Sequence, residues 1–358
     1  MRLSRRRALK SAGALGAIGL AGCTGDDDDE NGDSGTMRVA TAYAEDSPVP
    51  LAQQEFVENV EEATDGELEP DLYPGGQLTS GPDLGSQLQG GSVEVGSLSY
   101  SNLSPYADIM DIVNLPYFAG DFESFLNLIT SDVWEEVAHE ELRQQGFEPL
   151  YTWMSSPRAV GVREEVGGAV ESIDDVAGLD IRIAASDIGE QTWDLAGANA
   201  VPVDWGETAQ ALEEGVVDGL HVSVPPLAAY GFEDSLGSIT VIDQVMDVGI
   251  FVASRDWFDD LEEDVQEDIH EAAEETFEYQ LDGLVEMAEE SEQVFEEAGV
   301  EINELDDAAL EEWEEATGYQ RSEWDDWKTD LAGDMETFEA LEEATEQESD
   351  YEVPGYDA

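Results

Sequence analysis

The residues best suited to chemistry in this sequence are its arginines. The chain carries 87 Asp and Glu against 13 Lys and Arg, so each cation needs a reason to be there. Past the first 22 residues only Arg38, Arg143, Arg158, Arg163, Arg182, Arg255, Arg321 and Lys328 remain. Three of them, Arg158, Arg163 and Arg182, fall close together. A planar guanidinium can tie down a neighbouring Asp or Glu, or it can clamp a dissolved carboxylate through two parallel hydrogen bonds. Spacing alone leaves both uses open.

Other chemistries find little support. The sequence has no strand-turn-helix serine elbow, no zinc spacing and no phosphate-binding loop. The single cysteine, Cys23, excludes an internal disulfide and any thiol site elsewhere. No cofactor or metal motif is present. Asp27-x-Asp29-x-Asn31-Gly32 imitates the opening of a calcium loop, but Arg38 stands where the bidentate Glu belongs. Without a basic stripe, nucleic-acid binding is excluded. Carboxylate pairs are too common in this composition to mark an active site, so a secreted glycosidase stays open as an alternative.

The first residues read as an export segment. Arg5-Arg6, followed by Arg7-Ala8-Leu9-Lys10, has the form of a twin-arginine signal. Its apolar stretch, residues 12–22, falls short of the roughly 20 residues that cross a bilayer. Leu20-Ala21-Gly22-Cys23 looks like a lipobox, with cleavage before Cys23 and a lipid on its thiol. Residues 23–35 are a polar, acidic tether. Cleavage removes five cations and no acid, taking the formal charge from −74 to −79. A surface of solvated carboxylates on that scale suits concentrated salt, where repulsion is screened.

The elements that must hold the arginines alternate in type. Strands are expected at 37–43, 68–73, 93–98, 149–154, 158–162, 180–183, 200–203, 219–224, 239–242 and 249–253. Helices fall between them, one opening at Ser47-Pro48, others at 81–90, 122–145, 187–196 and 206–214. This alternation predicts βαβ units and a mostly parallel sheet. From Trp257 the chain turns almost wholly helical, with apolar residues at helical spacing, one short strand near 300–302 and a loose, aperiodic tail, 347–358. Strand ends commonly host ligands. Tyr43, Ser97, Ser99, Tyr100, Asn102, Trp153 and Trp205 all fall there. Asn102-Leu103-Ser104 is also the one glycosylation acceptor, and a glycan would exclude Asn102 from a closed cleft.

Several blocks resemble one family. They are Tyr73-Pro74-Gly75-Gly76-Gln77-Leu78, Gln87 to Glu94, Leu115-Pro116-Tyr117-Phe118, Ser172 to Ile183, Gly197 to Val203 and Ala211 to Gly219. In this order and spacing they are similar to solute-binding proteins of tripartite ATP-independent periplasmic (TRAP) transporters, the DctP type. The resemblance implies an α/β, two-lobed, type II-like periplasmic-binding-protein fold with hinge strands and long C-terminal helices. It implies lobes at 36–156 with 248–287 and at 157–247 with 288–346, closing on a small carboxylate. It implies as partners the small and large membrane permease subunits, and it implies no enzyme. The family arginine that salt-bridges the ligand falls on Arg182. A second falls on Arg158 or on its rival Arg163. Where relatives carry an Asn after the Val-Asp-Gly block, this chain has Leu220-His221-Val222-Ser223, leaving His221 or Ser223 for that polar contact. A sensory surface lipoprotein with the same lobes is a further alternative.

Overall fold

The structure is a computed structural model that describes residues 35–44 and 52–356. Arg5, Arg6, Cys23, the tether up to Ser34 and the Ser47-Pro48 helix start lie outside the described residues. Nine strands form the sheet: β1 (Thr36–Ala40), β2 (Glu69–Tyr73), β3 (Val95–Ser99), β4 (Phe147–Arg163), β5 (Asp180–Ile183), β6 (Asn199–Pro202), β7 (Gly219–Val222), β8 (Leu236–Ser254) and β9 (Glu301–Glu304). Their order is β2-β1-β3-β8-β4-β7-β5-β6, with β9 on β8.

Two long strands organise everything else. β4 has 17 residues and β8 has 19, and they pair antiparallel along their lengths. One end of this ladder carries the parallel set β1, β2 and β3, through β3 on Gly249–Ala253 of β8. The other end carries the parallel set β5, β6 and β7, through β7 on Ala159–Val162 of β4.

Midway, the ladder breaks register. Met246 opposes Pro157 and Val241 opposes Ala159, so Ile242, Asp243, Gln244 and Val245 bulge opposite Arg158 alone. Proline offers no N–H to a partner strand, which makes this the natural place for the irregularity. Asp243 takes a left-handed φ of 45° to make the bend. The sequence separates 149–154 from 158–162 and 239–242 from 249–253. The structure joins each pair into one strand, because the partner strand carries the ladder past the bulge.

Apolar residues follow the two ends. A large cluster surrounds β1, β3 and the adjoining parts of β4 and β8. At the other end, alternation along β4 sends Ala159 to one face, with Leu212, Leu220 and Phe295, and Val160 and Val162 to the opposite face, with Ile181, Trp193 and Trp313. The 36-residue helix Glu263–Ala298 spans both ends. Ile269, Ala273, Phe277, Leu281 and Leu284 recur at helical spacing against the large cluster, while Phe295 reaches the second. Gln280 fastens this helix beside the bulge: its Nε2 donates to the Thr152 carbonyl (2.7 Å) and its Oε1 accepts from the Met154 N–H (3.1 Å).

Two other expectations change. The run 122–145 is not one helix: Thr130 Oγ1 bonds back to the Leu126 carbonyl (2.8 Å), and Ser131 Oγ accepts from the Trp134 N–H (3.2 Å), ending one helix and capping the next. The aperiodic tail packs. Val353 is buried, and Tyr351 and Tyr356 meet Phe277 and Phe122 edge-on at 5.2 and 5.0 Å. Aromatic contacts there do not need a helical period.

Gly249 marks how tightly the ladder is packed. A Cβ at that position would overlap the Leu98 carbonyl and the Trp153 ring, whereas one at Gly206 meets nothing within 4 Å. Gly249→Ala is expected to lower the unfolding free energy by about 1–3 kcal/mol, and Gly206→Ala to leave it unchanged or raise it by up to ~1 kcal/mol. Denaturant midpoints in molar salt provide the comparison.

Candidate ligand-binding site

β5 points Arg182 inward, where the residue is 5% exposed. Its Nε and Nη2 both donate to the Val203 carbonyl, at 3.0 and 2.7 Å. The Trp205 ring lies 5.6 Å from the guanidinium carbon. The group is therefore held in place without being neutralised. Every other arginine and lysine among the described residues has a carboxylate within 4.0 Å: Arg38, Arg143, Arg158, Arg163, Arg255, Arg321 and Lys328. Arg182 has none.

Arg158 stands at the bulge. Its Nη2 lies 3.4 Å from Asp247 Oδ1. The other oxygen of Asp247 accepts from Ser223 Oγ (2.8 Å), and Ser223 Oγ also contacts Ser155 Oγ (3.0 Å). Asp247 thus ties β8 to both β4 and the end of β7, and it answers one guanidinium charge of the pair.

The electrostatics agree with that count. Burial first, and then Arg158, lowers the Arg182 pKa to about 10, so it stays charged at neutral pH. His221 sits beside Trp193 (5.1 Å, edge-on). Burial first, and then the two arginines, hold it well below the usual range, so it is neutral. The Tyr43 phenol is pushed well above its usual value, by burial and then by Asp247.

Aromatic side chains close the space from both sides. Tyr43 meets Trp153 edge-on at 5.4 Å, and Trp153 Nε1 donates to Ser97 Oγ (3.0 Å). Opposite, Trp205 packs on Tyr230 at 5.1 Å. The Tyr230 hydroxyl accepts from the Ala44 N–H (3.0 Å) and donates to the Ala42 carbonyl (3.5 Å). A cavity of about 20 Å³ lies alongside, lined by Ser101, Asn114, Arg158, Ser186, Trp193, His221 and Gln244 among others. That holds something the size of one water, against roughly 300 Å³ or more for an organic ligand pocket. An organic ligand therefore requires the surrounding elements to part.

Of the residues singled out by sequence, the structure brings together Arg182, Arg158, His221, Ser223, Tyr43 and Trp205, with Trp153 behind Tyr43. It does not bring Arg163, which lies at the far end of β4 with Asp218 (3.6 Å) and Glu165 (3.8 Å). Tyr100 is core: it packs on Phe125 and Trp134 and bonds Thr152 Oγ1 at 2.6 Å. Ser99 pairs with Gly249 at the end of β3, and Asn102 is half-buried on the turn that follows.

Sequence reasoning missed Asp247, Asp111, Gln244 and Tyr230. Both acids sit alone in apolar runs, Val245-Met246-Asp247-Val248 and Ile109-Met110-Asp111-Ile112. That isolation was the available signal in so acidic a chain. Among the described residues there is no group of acids, histidines or cysteines fit to hold a metal, and no helix is long and apolar enough to cross a membrane.

The comparisons with known proteins meet this geometry. Residues 39–325 match the family model described as bacterial extracellular solute-binding protein, family 7, also called DctP. A solute-binding protein of Chromohalobacter salexigens is 27% identical over 72% of this chain and 75% of its own length. The C4-dicarboxylate-binding periplasmic protein DctP of Rhodobacter capsulatus is 25% identical over 84% and 88%. Among solved structures, a TRAP periplasmic solute-binding protein of Chromohalobacter salexigens with bound D-glucuronate superposes with a TM-score of 0.79, at 23% identity, over 86% of this chain and 99% of that one. The sugar-acid-binding protein of Advenella mimigardefordensis in complex with galactonate gives 0.80, at 22% identity, over 87% and 97%.

The α/β frame, two parallel strand sets on one crossing ladder with Arg158 and Arg182 near the crossing, has the two-lobed fold of the solved solute-binding proteins. The chain belongs to the DctP family of extracellular solute-binding proteins, the substrate-binding components of TRAP transporters. Its relatives are binding proteins and not enzymes, so a glycosidase reading finds no support.

Asp111 offers a check on the burial of this region. Burial, the largest influence, raises its pKa from 3.8 to about 6, against hydrogen bonds from Asn114 and Ser186. A carboxyl whose folded pKa lies above its unfolded value stabilises the fold at low pH, and that stabilisation is lost as pH rises through the folded value. Relative to its difference at pH ~4, Asp111→Asn is expected to gain up to ~3 kcal/mol over the wild type by pH ~7. A difference that stays flat from pH 4 to 7 in urea titrations would mean that Asp111 ionises freely.

Proposed function

We propose that this chain captures a small organic anion between its lobes, with Arg182 and Arg158 gripping the carboxylate, and hands it to the small and large permease subunits. What supports this reading is Arg182: fixed, buried and charged, yet with no carboxylate of its own. A ligand carboxylate supplies the missing partner in bidentate geometry. Tyr43, Trp153 and Trp205 wall the space, and His221 and Ser223 give neutral polar contacts. Relatives named for C4-dicarboxylates, and structures holding glucuronate or galactonate, agree with an acid ligand.

The lobes would part at the bulge, where β4 and β8 already break register. One lobe comprises 36–156 with 248–287, and the other 157–247 with 288–317. The run after Trp324 goes to the first lobe, because Trp324, Phe338 and Leu341 pack in its cluster.

In a thermal-shift screen of carboxylates in molar salt, at least one is expected to raise the melting temperature. Arg182→Gln should weaken its binding by ~30-fold or more, about 2 kcal/mol, and Arg163→Gln by less than ~2-fold. Arg182→Gln binding as tightly as the wild type would remove that residue from the site.

The N-terminal reading completes the proposal. The protein is exported through Arg5-Arg6, anchored by lipid at Cys23 and suited to concentrated salt by its net charge. Cys23→Ala should move the chain from the membrane fraction to the medium with ligand binding intact. If the variant still sediments with membranes, the anchor is something else.

A further inference from the structure

We infer that the ligand is a monocarboxylate bearing several hydroxyls, a sugar acid in preference to a diacid; this rests on the binding function proposed above. Two independent observations lead there.

The first is a charge count. Two guanidiniums face the cleft, and Asp247 already answers Arg158 at 3.4 Å. Asp247 is itself fixed by Ser223 Oγ at 2.8 Å, so it cannot easily swing away. Across Arg158, Arg182 and Asp247 one net positive charge is left, enough for the single carboxylate that both guanidiniums reach. A diacid would bring two negative charges to a space bordered by Asp247 on one side and by Asp111, behind Asn114 and Ser186, on the other. The protein's own carboxylate stands where a second ligand carboxylate would need a cation.

The second is a set of buried polar atoms without partners. Trp193 Nε1, His221 Nε2 and Gln244 Oε1 are enclosed and have no hydrogen bond. Their residues are 0%, 6% and 0% exposed, and all three line the same cavity beside Arg158. Buried polar groups are nearly always satisfied, so three around one cavity ask for a polar occupant. Gln244 Oε1 can only accept and the Trp193 N–H can only donate. A hydroxyl answers both, since it donates and accepts. A carboxylate only accepts, and would leave Gln244 unanswered. The carboxylate end therefore belongs to Arg182 and the hydroxyl-bearing end to the bulge, where Gln244 is carried by β8.

Titration calorimetry of the wild-type chain in molar salt tests this with four probes: D-gluconate, D-glucuronate, succinate and butyrate. At least one of the two sugar acids is expected to bind ~10-fold or more tightly than succinate, because one site charge cannot serve two carboxylates. The same sugar acid should bind ~100-fold or more tightly than butyrate, because a site with unmet donors and acceptors rejects a ligand lacking hydroxyls. Asp247→Asn frees Arg158 and should narrow the succinate gap by ~10-fold. Gln244→Met should weaken the sugar acid and leave butyrate unchanged. Succinate or butyrate matching the better sugar acid in the wild type would overturn the inference, whatever the variants do. Silence from all four probes, and from the wider carboxylate screen, would instead bring down the binding function and this inference with it.

Discussion

The structure depends on keeping one guanidinium charged, buried and unanswered. Removing an ion from water costs several kcal/mol even after relaxation. For Arg182 that cost is met in part by two hydrogen bonds to the Val203 carbonyl and by the face of Trp205. Arg158 nearby works against it, and Asp247 partly for it. The balance leaves a positive charge inside a protein whose surface is overwhelmingly negative. An anion entering this space gains a partner that is already oriented. It also relieves the repulsion between two arginines, which no internal rearrangement among the described carboxylates has done.

The backbone explains why the charge can sit there. A regular ladder through the middle of β4 and β8 would fill the crossing with paired strands. The break opposite Arg158 instead lifts Ile242, Asp243, Gln244 and Val245 out of the ladder, and Ile242, Gln244 and Val245 stay buried, with Gln244 and Val245 lining the space beside the cation. Gln280 of the long helix fixes the Thr152–Met154 segment just before the break. The irregular stretch is itself held by Tyr117, whose N–H donates to the Gln244 carbonyl (2.8 Å) and whose hydroxyl donates to the Ile242 carbonyl (3.1 Å). The contrast with Glu148 is instructive. That carboxylate is 3% exposed and gathers Arg143 (3.1 Å), Arg255 and His270 (3.5 Å). There the chain satisfies a buried charge fully, and the result is a staple between elements. At Arg182 it leaves one without a carboxylate, and the proposed binding function rests on that difference.

Much of this is legible in the amino-acid sequence. Apolar patterns locate seven of the nine described strands to within a few residues and split β4 and β8 at the bulge, and helical spacing locates the long helix, because both periods arise from burial on one face. The scarcity of cations singles out Arg158, Arg163 and Arg182 alike, because spacing reports how near residues are along the chain, not which end of a strand they reach. Arg163 is five residues past Arg158 on one continuous β4, and that carries it out of the crossing to Asp218. The residues that are not legible owe their role to tertiary placement. Asp247 is one acid among 87 until β8 sets it against Arg158 and Ser223. Gln244 matters only because a bulge turns it, and bulges leave little trace in hydrophobic period. The packed tail escapes because Tyr351 and Tyr356 each act through a single aromatic contact and have no periodic partners.

The same arrangement sets how binding and closure must be coupled. Tyr230 is one bridge across the crossing, through one good hydrogen bond to Ala44 and a longer one to Ala42, beside the Tyr117 N–H on the Gln244 carbonyl (2.8 Å) and Ser186 Oγ on Asp111 (3.4 Å). It is 37% exposed, so water competes for both bonds, and such bonds contribute on the order of 1 kcal/mol each. On the function proposed above, bonds of this size act against a pair of like charges buried between the lobes, and opening and closing stay in balance. A ligand can shift such an equilibrium only by the difference in its affinity for the two states. On the proposed function a carboxylate would make that difference large by meeting both arginines together in the closed form. On that reading the unanswered charge selects an anion, and the anion in turn favours the closed arrangement.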